Sequence, residues 1–222
     1  MPPWDAELEA AVAHVRAGGL LAYPTETVWG LGADAGSAAA VAGLLRWKGR
    51  EPARAISILV GGLEVAERLG VRAPPEAHRL AARFWPGPLT LVLPAPPGRF
   101  APGIARADGA VGLRCSPDPT AAALAGALAR AGVGPLTATS LNRTGEPPAR
   151  SAGEARELCR RRPGPRLVDL GTASPVSCDA PSTVVDCTGP AFRLVREGAI
   201  PAAALAAAAS DARARAGEAN AR

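Results

Sequence analysis

The chain has 222 residues, 48% of them hydrophobic and 20% charged, which excludes wholesale disorder, a collagen-like repeat and a disulfide scaffold. A chain of this length buries roughly 70–75% of its unfolded surface, so its core needs no metal or cross-link. Twenty-five Lys and Arg residues against 20 Asp and Glu give a net charge of +5, which suits acidic partners such as nucleotides or RNA.

In chain order, Asp5 is placed to cap a first helix in which Leu8, Ala11, Val12 and Val15 recur at helical spacing, with Gly18-Gly19 as the stop. Leu20 to Tyr23 reads as a short buried strand, and Pro24 to Asp34, mixing hydroxyls and glycines, as a loop. Ser37 caps a second helix running to about Trp47, and Ile56 to Val60 is a strand. Leu63 to Leu69 and Pro75 to Phe84 read as helices, and Pro86-Gly87-Pro88 stops the second of them before a strand at Leu89 to Leu93. A strand at Val111 to Arg114, a helix at Pro119 to Ala131 and a strand at Leu136 to Thr139 follow. A helix near Ala152 to Arg160 precedes apolar runs at Leu167 to Leu170, Ser182 to Asp186 and Phe192 to Val195. Interleaved strands and helices predict a single α/β domain with a mixed sheet over residues 1–200. The alanine-rich stretch 201–222 reads as a weakly held tail.

No apolar run approaches the roughly 18–20 residues that cross a bilayer. The N-terminus, MPPWDAELEA, has early acids and no basic stretch, so no secretory leader is expected. Cys115, Cys159, Cys178 and Cys187 form no C-x-x-C, and His14 and His78 are the only histidines. A metal site on the protein is therefore not expected, and a reducing, cytoplasmic setting is.

No Walker-type phosphate loop occurs, and Gly30 and Gly32 only approximate a dinucleotide fingerprint, because Ala35 stands at the third glycine position. Both histidines fall in predicted helices, which argues against a histidine-based triad. What remains is a set of cations and hydroxyls at the ends of predicted strands. These are Thr25 and Thr27; Lys48, Arg50 and Arg54; Arg114; Ser140 with Asn142; Ser182 with Thr183; and Arg196. Lys48 is the chain's only lysine, and a compact point charge kept in so arginine-rich a sequence points to a site that a planar fork cannot serve. Loops at strand ends are where open α/β sheets bind ligands. Cations with small hydroxyl donors there suit a polyphosphate, a carboxylate, or both.

Seven strings, in order, resemble the YrdC-type threonylcarbamoyl-AMP synthases: L-A-Y-P-T-E-T-V-W-G-L-G, W-K-G-R-E-P, F-W-P-G-P-L-T-L-V-L, V-G-L-R-C-S-P-D-P, T-S-L-N-R-T-G, S-T-V-V-D and L-V-R-E-G-A-I-P. The resemblance covers about residues 7 to 201. It implies a twisted mixed sheet with flanking helices around a large, concave, positively charged cavity. It implies synthesis of L-threonylcarbamoyl-adenylate from L-threonine, bicarbonate and ATP, with ATP as substrate and Mg2+ accompanying it. The product would serve threonylcarbamoyl-transferase proteins that modify adenosine 37 of tRNA.

By the same resemblance Lys48 and Arg50 are catalytic. ATP is held by Lys48, Arg50, Arg54, Asn142 and Arg196 with Ala110, Ala138 and Pro148. Threonine is held by Thr25, Thr27, Leu59, Arg114, Ser140 and Ser182. The chain departs from the family pattern where Leu141 replaces an alanine, Thr144 a serine, Ala55-Ile56 a Pro-Leu pair and Leu59 a frequent polar residue. The strings also match the short form of the family, without an extra C-terminal domain. Two other readings are a non-catalytic RNA-binding module of the same fold and a hydrogenase-maturation type of carbamoyl-adenylate enzyme. Only eight aromatic residues, several of them inside the motifs, and the lack of a zinc-finger cysteine pattern speak against these.

Overall fold

Strand β1 (Leu20–Tyr23) sits between the two apolar layers of the molecule, because its alternate side chains feed opposite faces. Leu20 and Ala22 enter one buried cluster, and Leu21 and Tyr23 the other. The computed structural model describes residues 4–50, 55–171 and 180–208. Arg54 and Cys178 lie outside the described residues.

Helix α1 (Asp5–Arg16) buries Leu8, Ala11, Val12 and Val15, the stripe its spacing predicts, but Trp4 occupies the cap position and Asp5 the first turn. Asp5 there still complements the helix dipole. Helix α2 (Ala38–Lys48) is capped by the Ser37 hydroxyl, which accepts from Ala40 N, and ends on Gly49 at φ 60°, a left-handed position suited to glycine. Strand β3 (Ser57–Leu59), helices α3 (Leu63–Arg68) and α4 (Pro75–Phe84), and strands β4 (Gly87–Pro94) and β5 (Ala110–Cys115) follow. Asp118 caps helix α5 (Pro119–Arg130), accepting from Thr120 N and Ala121 N. Strand β6 (Thr137–Ser140), helix α6 (Ala152–Arg161) and strands β7 (Pro165–Leu167), β8 (Thr183–Asp186) and β9 (Arg193–Arg196) complete the order.

Strand β2 (Gly30–Gly32) differs from the sequence expectation. It forms within the expected loop of residues 24–34, antiparallel to both β1 and β6. Its glycines are there for clearance, since a Cβ at Gly30 would meet the Tyr23 ring at 2.7 Å and one at Gly32 the Leu136 side chain at 2.4 Å. A strand stripped of side chains shows no alternation to read.

Among the described residues nine strands form one mixed sheet in the order β7-β1-β2-β6-β3-β5-β4-β8-β9. On one face α2 and α4 pack with Leu89, Leu91, Leu93, Val111 and Leu113. On the other, α1 and α5 cover Leu21, Tyr23, Leu59 and Leu136. That second layer stops at Leu59. Beyond it Ser57, Thr90, Val92, Ala110, Gly112 and Arg114 belong to neither apolar cluster. This leaves a polar sheet face beside the α1–α5 layer. After β9, residues 202–208 form a further helix with Leu205 only 1% exposed in the first cluster. The chain thus stays packed past residue 200, where a weakly held tail was expected to begin.

Candidate active site

Strand register builds the polar face. Leu59 lies opposite Arg114 across β3 and β5, Thr90 opposite Arg114 across β4 and β5, Val184 opposite Thr90, and Arg196 opposite Val184. Directly opposed residues point to the same side, so these five form one row across the sheet. The neighbouring row is small. A Cβ on Gly112 would meet the Ser57 hydroxyl at 2.6 Å, and Ala138 lies opposite Ser57. A small row beside a row with two arginines gives a floor on which a ligand can lie.

The turn after β1 supplies the hydroxyls. Thr25 Oγ1 donates to the Val28 carbonyl at 2.6 Å and accepts from Thr27 N at 3.3 Å, which folds residues 25–28 into a tight turn. The Arg114 guanidinium lies over this turn. Its Nη2 donates to Glu26 Oε1 at 2.5 Å and to Thr27 Oγ1 at 3.2 Å. Ser116 Oγ donates to Glu26 Oε2. The Tyr23 hydroxyl donates to the Thr137 carbonyl, and burial raises its pKa and keeps it protonated.

At the far side of the row, Arg196 Nη2 donates to the Ser182 carbonyl at 2.7 Å, and the Ser182 and Thr90 hydroxyls are 2.9 Å apart. Burial and the positive charge of Arg114 lower the Arg196 pKa, so the two guanidiniums feel one another across the face. Such a pair attracts an anion.

Lys48 is buried at the end of α2. Its ammonium donates to the Ser140 carbonyl at 2.5 Å, the Asn142 carbonyl at 3.0 Å and Asn142 Oδ1 at 3.1 Å. Those bonds use all three of its N–H groups. Burial, reinforced by the charge of Arg50, lowers its pKa to about 8. Ser140 Oγ donates to Asn142 Oδ1 at 2.6 Å, and Asn142 Nδ2 donates to the Glu146 carbonyl at 2.6 Å. Lys48 thus ties the loop after β6 to the end of α2. This is a different placement from an ammonium directed outward at phosphates.

An open cleft gathers these parts, lined by Tyr23, Thr25, Val28, Trp29, Gly30, Leu59, Arg114, Ala138, Thr139 and Ser140. Five expected residues converge on it: Thr25, Leu59, Arg114, Ala138 and Ser140. Thr27 joins them through Arg114, while Ser182 and Arg196 join through Thr90. Lys48 and Asn142 sit behind Ser140, and Arg50 lies near enough for its charge to act on Lys48. Pro148 precedes Ala149, whose carbonyl accepts from Trp29 N at the cleft wall. Ala110 stands apart, four residues along β5 from Arg114, roughly 13 Å away. Glu26, Thr90 and Ser116 were missed from the sequence. Glu26 stands between two threonines already singled out, and that position was the available signal.

Leu141 is fully buried in the first apolar cluster, so its extra bulk goes into the core and not into the cleft.

Comparison with known proteins follows the same lines. Residues 13–198 match the Sua5/YciO/YrdC family, which carries the description "Telomere recombination". The chain is 38% identical over 187 residues to the threonylcarbamoyl-AMP synthase of Alkalilimnicola ehrlichii, covering 80% of this chain and 93% of that protein. It is 34% identical over 197 residues to the threonylcarbamoyl-AMP synthase of Bacillus subtilis, covering 88% of this chain and 54% of that protein. The crystal structure of P. abyssi Sua5 complexed with L-threonine superposes with a TM-score of 0.78 at 32% identity, over 91% of this chain and 57% of that one. The chain spans little more than half the length of these last two proteins.

Proposed function

The chain belongs to the Sua5/YciO/YrdC family, and on that premise we propose that it is an L-threonylcarbamoyladenylate synthase, a nucleotidyltransferase acting on L-threonine, bicarbonate and ATP. The observation that carries this reading is the convergence of Thr25, Leu59, Arg114, Ala138 and Ser140, from separate strands and loops, on one cleft.

Threonine lies with its carboxylate on Arg114 and its polar groups against Thr27, Ser140 and Ser182. Leu59 and Trp29 give the methyl group an apolar wall. The nucleotide extends from the cleft, with its phosphates towards Arg50, Arg54 and Arg196, and Lys48 serves ATP by holding the loop that carries Asn142. Asn142, Pro148 and the backbone at Ala110 and Ala138 hold the rest. The threonine nitrogen bonds to the bicarbonate carbon with loss of water. A carbamate oxygen then attacks the α-phosphorus, and the bond to the β-phosphate oxygen breaks to release diphosphate. The residues act by placing three substrates and stabilising charge, which suits a site of fixed cations and hydroxyls.

Magnesium enters with ATP. Among the described residues no group of three or more His, Cys, Asp or Glu side chains is placed to hold a metal, so phosphate oxygens and water would carry it. The adenylate would pass to threonylcarbamoyl-transferase proteins acting on tRNA in the cytoplasm. Among the described residues no helix is long and apolar enough to cross a membrane.

The test is diphosphate release with ATP, threonine and bicarbonate omitted in turn. All three are required on this reading. Equal release without threonine would leave an ATPase in its place.

A further inference from the structure

Glu26 is the one buried carboxylate in the turn between β1 and β2, and the reaction as written gives it nothing to do. Its side chain is 4% exposed, and Arg114 is 13% exposed. A carboxylate taken this far out of water needs partners for both oxygens. Glu26 has them, Arg114 Nη2 on Oε1 and Ser116 Oγ on Oε2, each at 2.5 Å. Ser116 is in turn fixed, since its Oγ accepts from Asp118 N at 3.2 Å just before α5. Glu26 therefore joins the turn that bears Thr25 and Thr27 to the end of β5 that bears Arg114.

The guanidinium is not fully used by this arrangement. Arg114 Nε is buried with no hydrogen-bond partner. An N–H left bare inside a protein costs stability and calls for an explanation. Arg114 also lines the cleft, whereas Glu26 does not. Nη2 of the guanidinium is thus pinned by Glu26 and Thr27, and the Nε donor remains for something that enters.

We propose that Glu26 is a positioning residue for the amino-acid substrate. It holds Arg114 on one edge so that the remaining donors meet the incoming carboxylate in a fixed orientation. An arginine free to rotate would lose that orientation as entropy on binding; a pinned one has lost it on folding. The negative charge of Glu26 also offsets part of the repulsion between Arg114 and Arg196 while the cleft holds no anion. This inference rests on the cleft being the threonine site.

The test pairs Glu26→Gln with Glu26→Asp and Ser116→Ala. Threonine affinity is measured by calorimetry without ATP, and KM for threonine and for ATP in the diphosphate assay. In Glu26→Gln the threonine Kd and KM should rise on the order of 10- to 100-fold, the size of one charge-assisted hydrogen bond, with the ATP KM within about twofold. Ser116→Ala leaves the Arg114 bond in place, so a smaller rise in the same direction is expected. Glu26→Asp should recover part of the loss. An unchanged threonine Kd, or equal rises for threonine and ATP, overturns the proposal. If Glu26→Gln does not fold, Ser116→Ala decides by the same criterion. The underlying reading fails separately, when the unaltered protein neither binds threonine nor needs it for diphosphate release.

Discussion

The Lys48 ammonium and the Ser140 carbonyl oxygen lie 92 positions apart in the chain and 2.5 Å apart in space. The contact fastens the loop that carries Ser140 and Asn142 to the end of α2, and both loop residues stand in the proposed substrate site. Lys48→Ala would take the Lys48 donor from the Asn142 carbonyl, while the Ser140 carbonyl keeps Asn142 N and Asn142 Oδ1 keeps the Ser140 hydroxyl, at roughly 1–3 kcal/mol for a buried polar group left bare. We expect loss of thermal stability together with raised KM for both threonine and ATP, since one loop serves both. Lys48→Arg should restore little, because a planar fork cannot reproduce three diverging bonds in the same space. Near-normal turnover in Lys48→Arg would show the point charge to be dispensable.

The same ammonium predicts a pH dependence with opposite signs for stability and function. Burial, with help from Arg50, lowers its pKa from the usual 10.5 to about 8. Between those two values the unfolded chain holds the proton more firmly than the folded one. The Lys48 contribution to stability is then flat below the lower value and rises with pH through that window. Turnover should fall over the same range, because the neutral amine has one N–H fewer to hold the loop. The measurement is the melting temperature of the unaltered protein against Lys48→Met, from about pH 7.5 to about pH 10. The difference should move in favour of the unaltered protein as pH rises. Parallel curves would refute the shift.

Gly30 is held under the Tyr23 ring, and Tyr23 is tethered through its hydroxyl to Thr137. The ring cannot swing away without breaking that bond. Gly30→Ala should cost about 1–3 kcal/mol, typical of forcing a methyl group into a packed place. Because Tyr23 and Gly30 both line the cleft, threonine affinity should fall with stability. Melting and calorimetry on the one variant check both, and a variant with wild-type melting would mean that the ring has room to give.

How much of this was legible depended on whether a residue's neighbours were local. The stripe of α1, the Ser37 cap of α2 and the Pro75 start of α4 are written within a few positions, and the structure has them where the spacing puts them. Strand β2 was not legible because its glycines answer to Tyr23 and Leu136, which no local pattern announces. The strand-end cations and hydroxyls were identified as a set, but what each one touches was not. Lys48 was expected to face phosphates, and in the fold its partners are loop carbonyls more than ninety residues on. Glu26 escaped notice because its partners, Arg114 and Ser116, are brought to it only by the sheet.

The alanine-rich end gives a prediction that the fold alters. Composition suggested little to anchor it, yet Leu205 is buried among core residues. Leu205→Ala should lower stability by about 2–5 kcal/mol, the usual range for a buried leucine. In a chain of this size that is a drop of several degrees in Tm. Diphosphate release at a temperature where the variant stays folded should not change. A melting curve identical to that of the unaltered protein would mean that residues 202–208 rest on the core without contributing to it.

Leu141 separates core from cleft in a single substitution. It follows Ser140, a cleft residue, so a bulky side chain here had two possible roles: narrowing the pocket around the threonine methyl, or filling the core. Its backbone is held from both sides, Leu141 N donating to the Trp29 carbonyl at 2.8 Å and Ala149 N donating to the Leu141 carbonyl at 3.1 Å. With Ser140 lining the cleft, the side chain of the next residue falls on the far side, where it is fully buried in the first apolar cluster. Leu141→Ala should therefore leave a cavity and cost about 2–5 kcal/mol of stability. Preference for threonine over serine rests on contacts with one methyl group, worth about 1–3 kcal/mol, and in the proposed placement those contacts come from Leu59 and Trp29 instead. Measured on folded Leu141→Ala, the threonine-to-serine ratio of kcat/KM should equal that of the unaltered protein. A lowered ratio with unchanged melting would place the Leu141 side chain in the cleft after all.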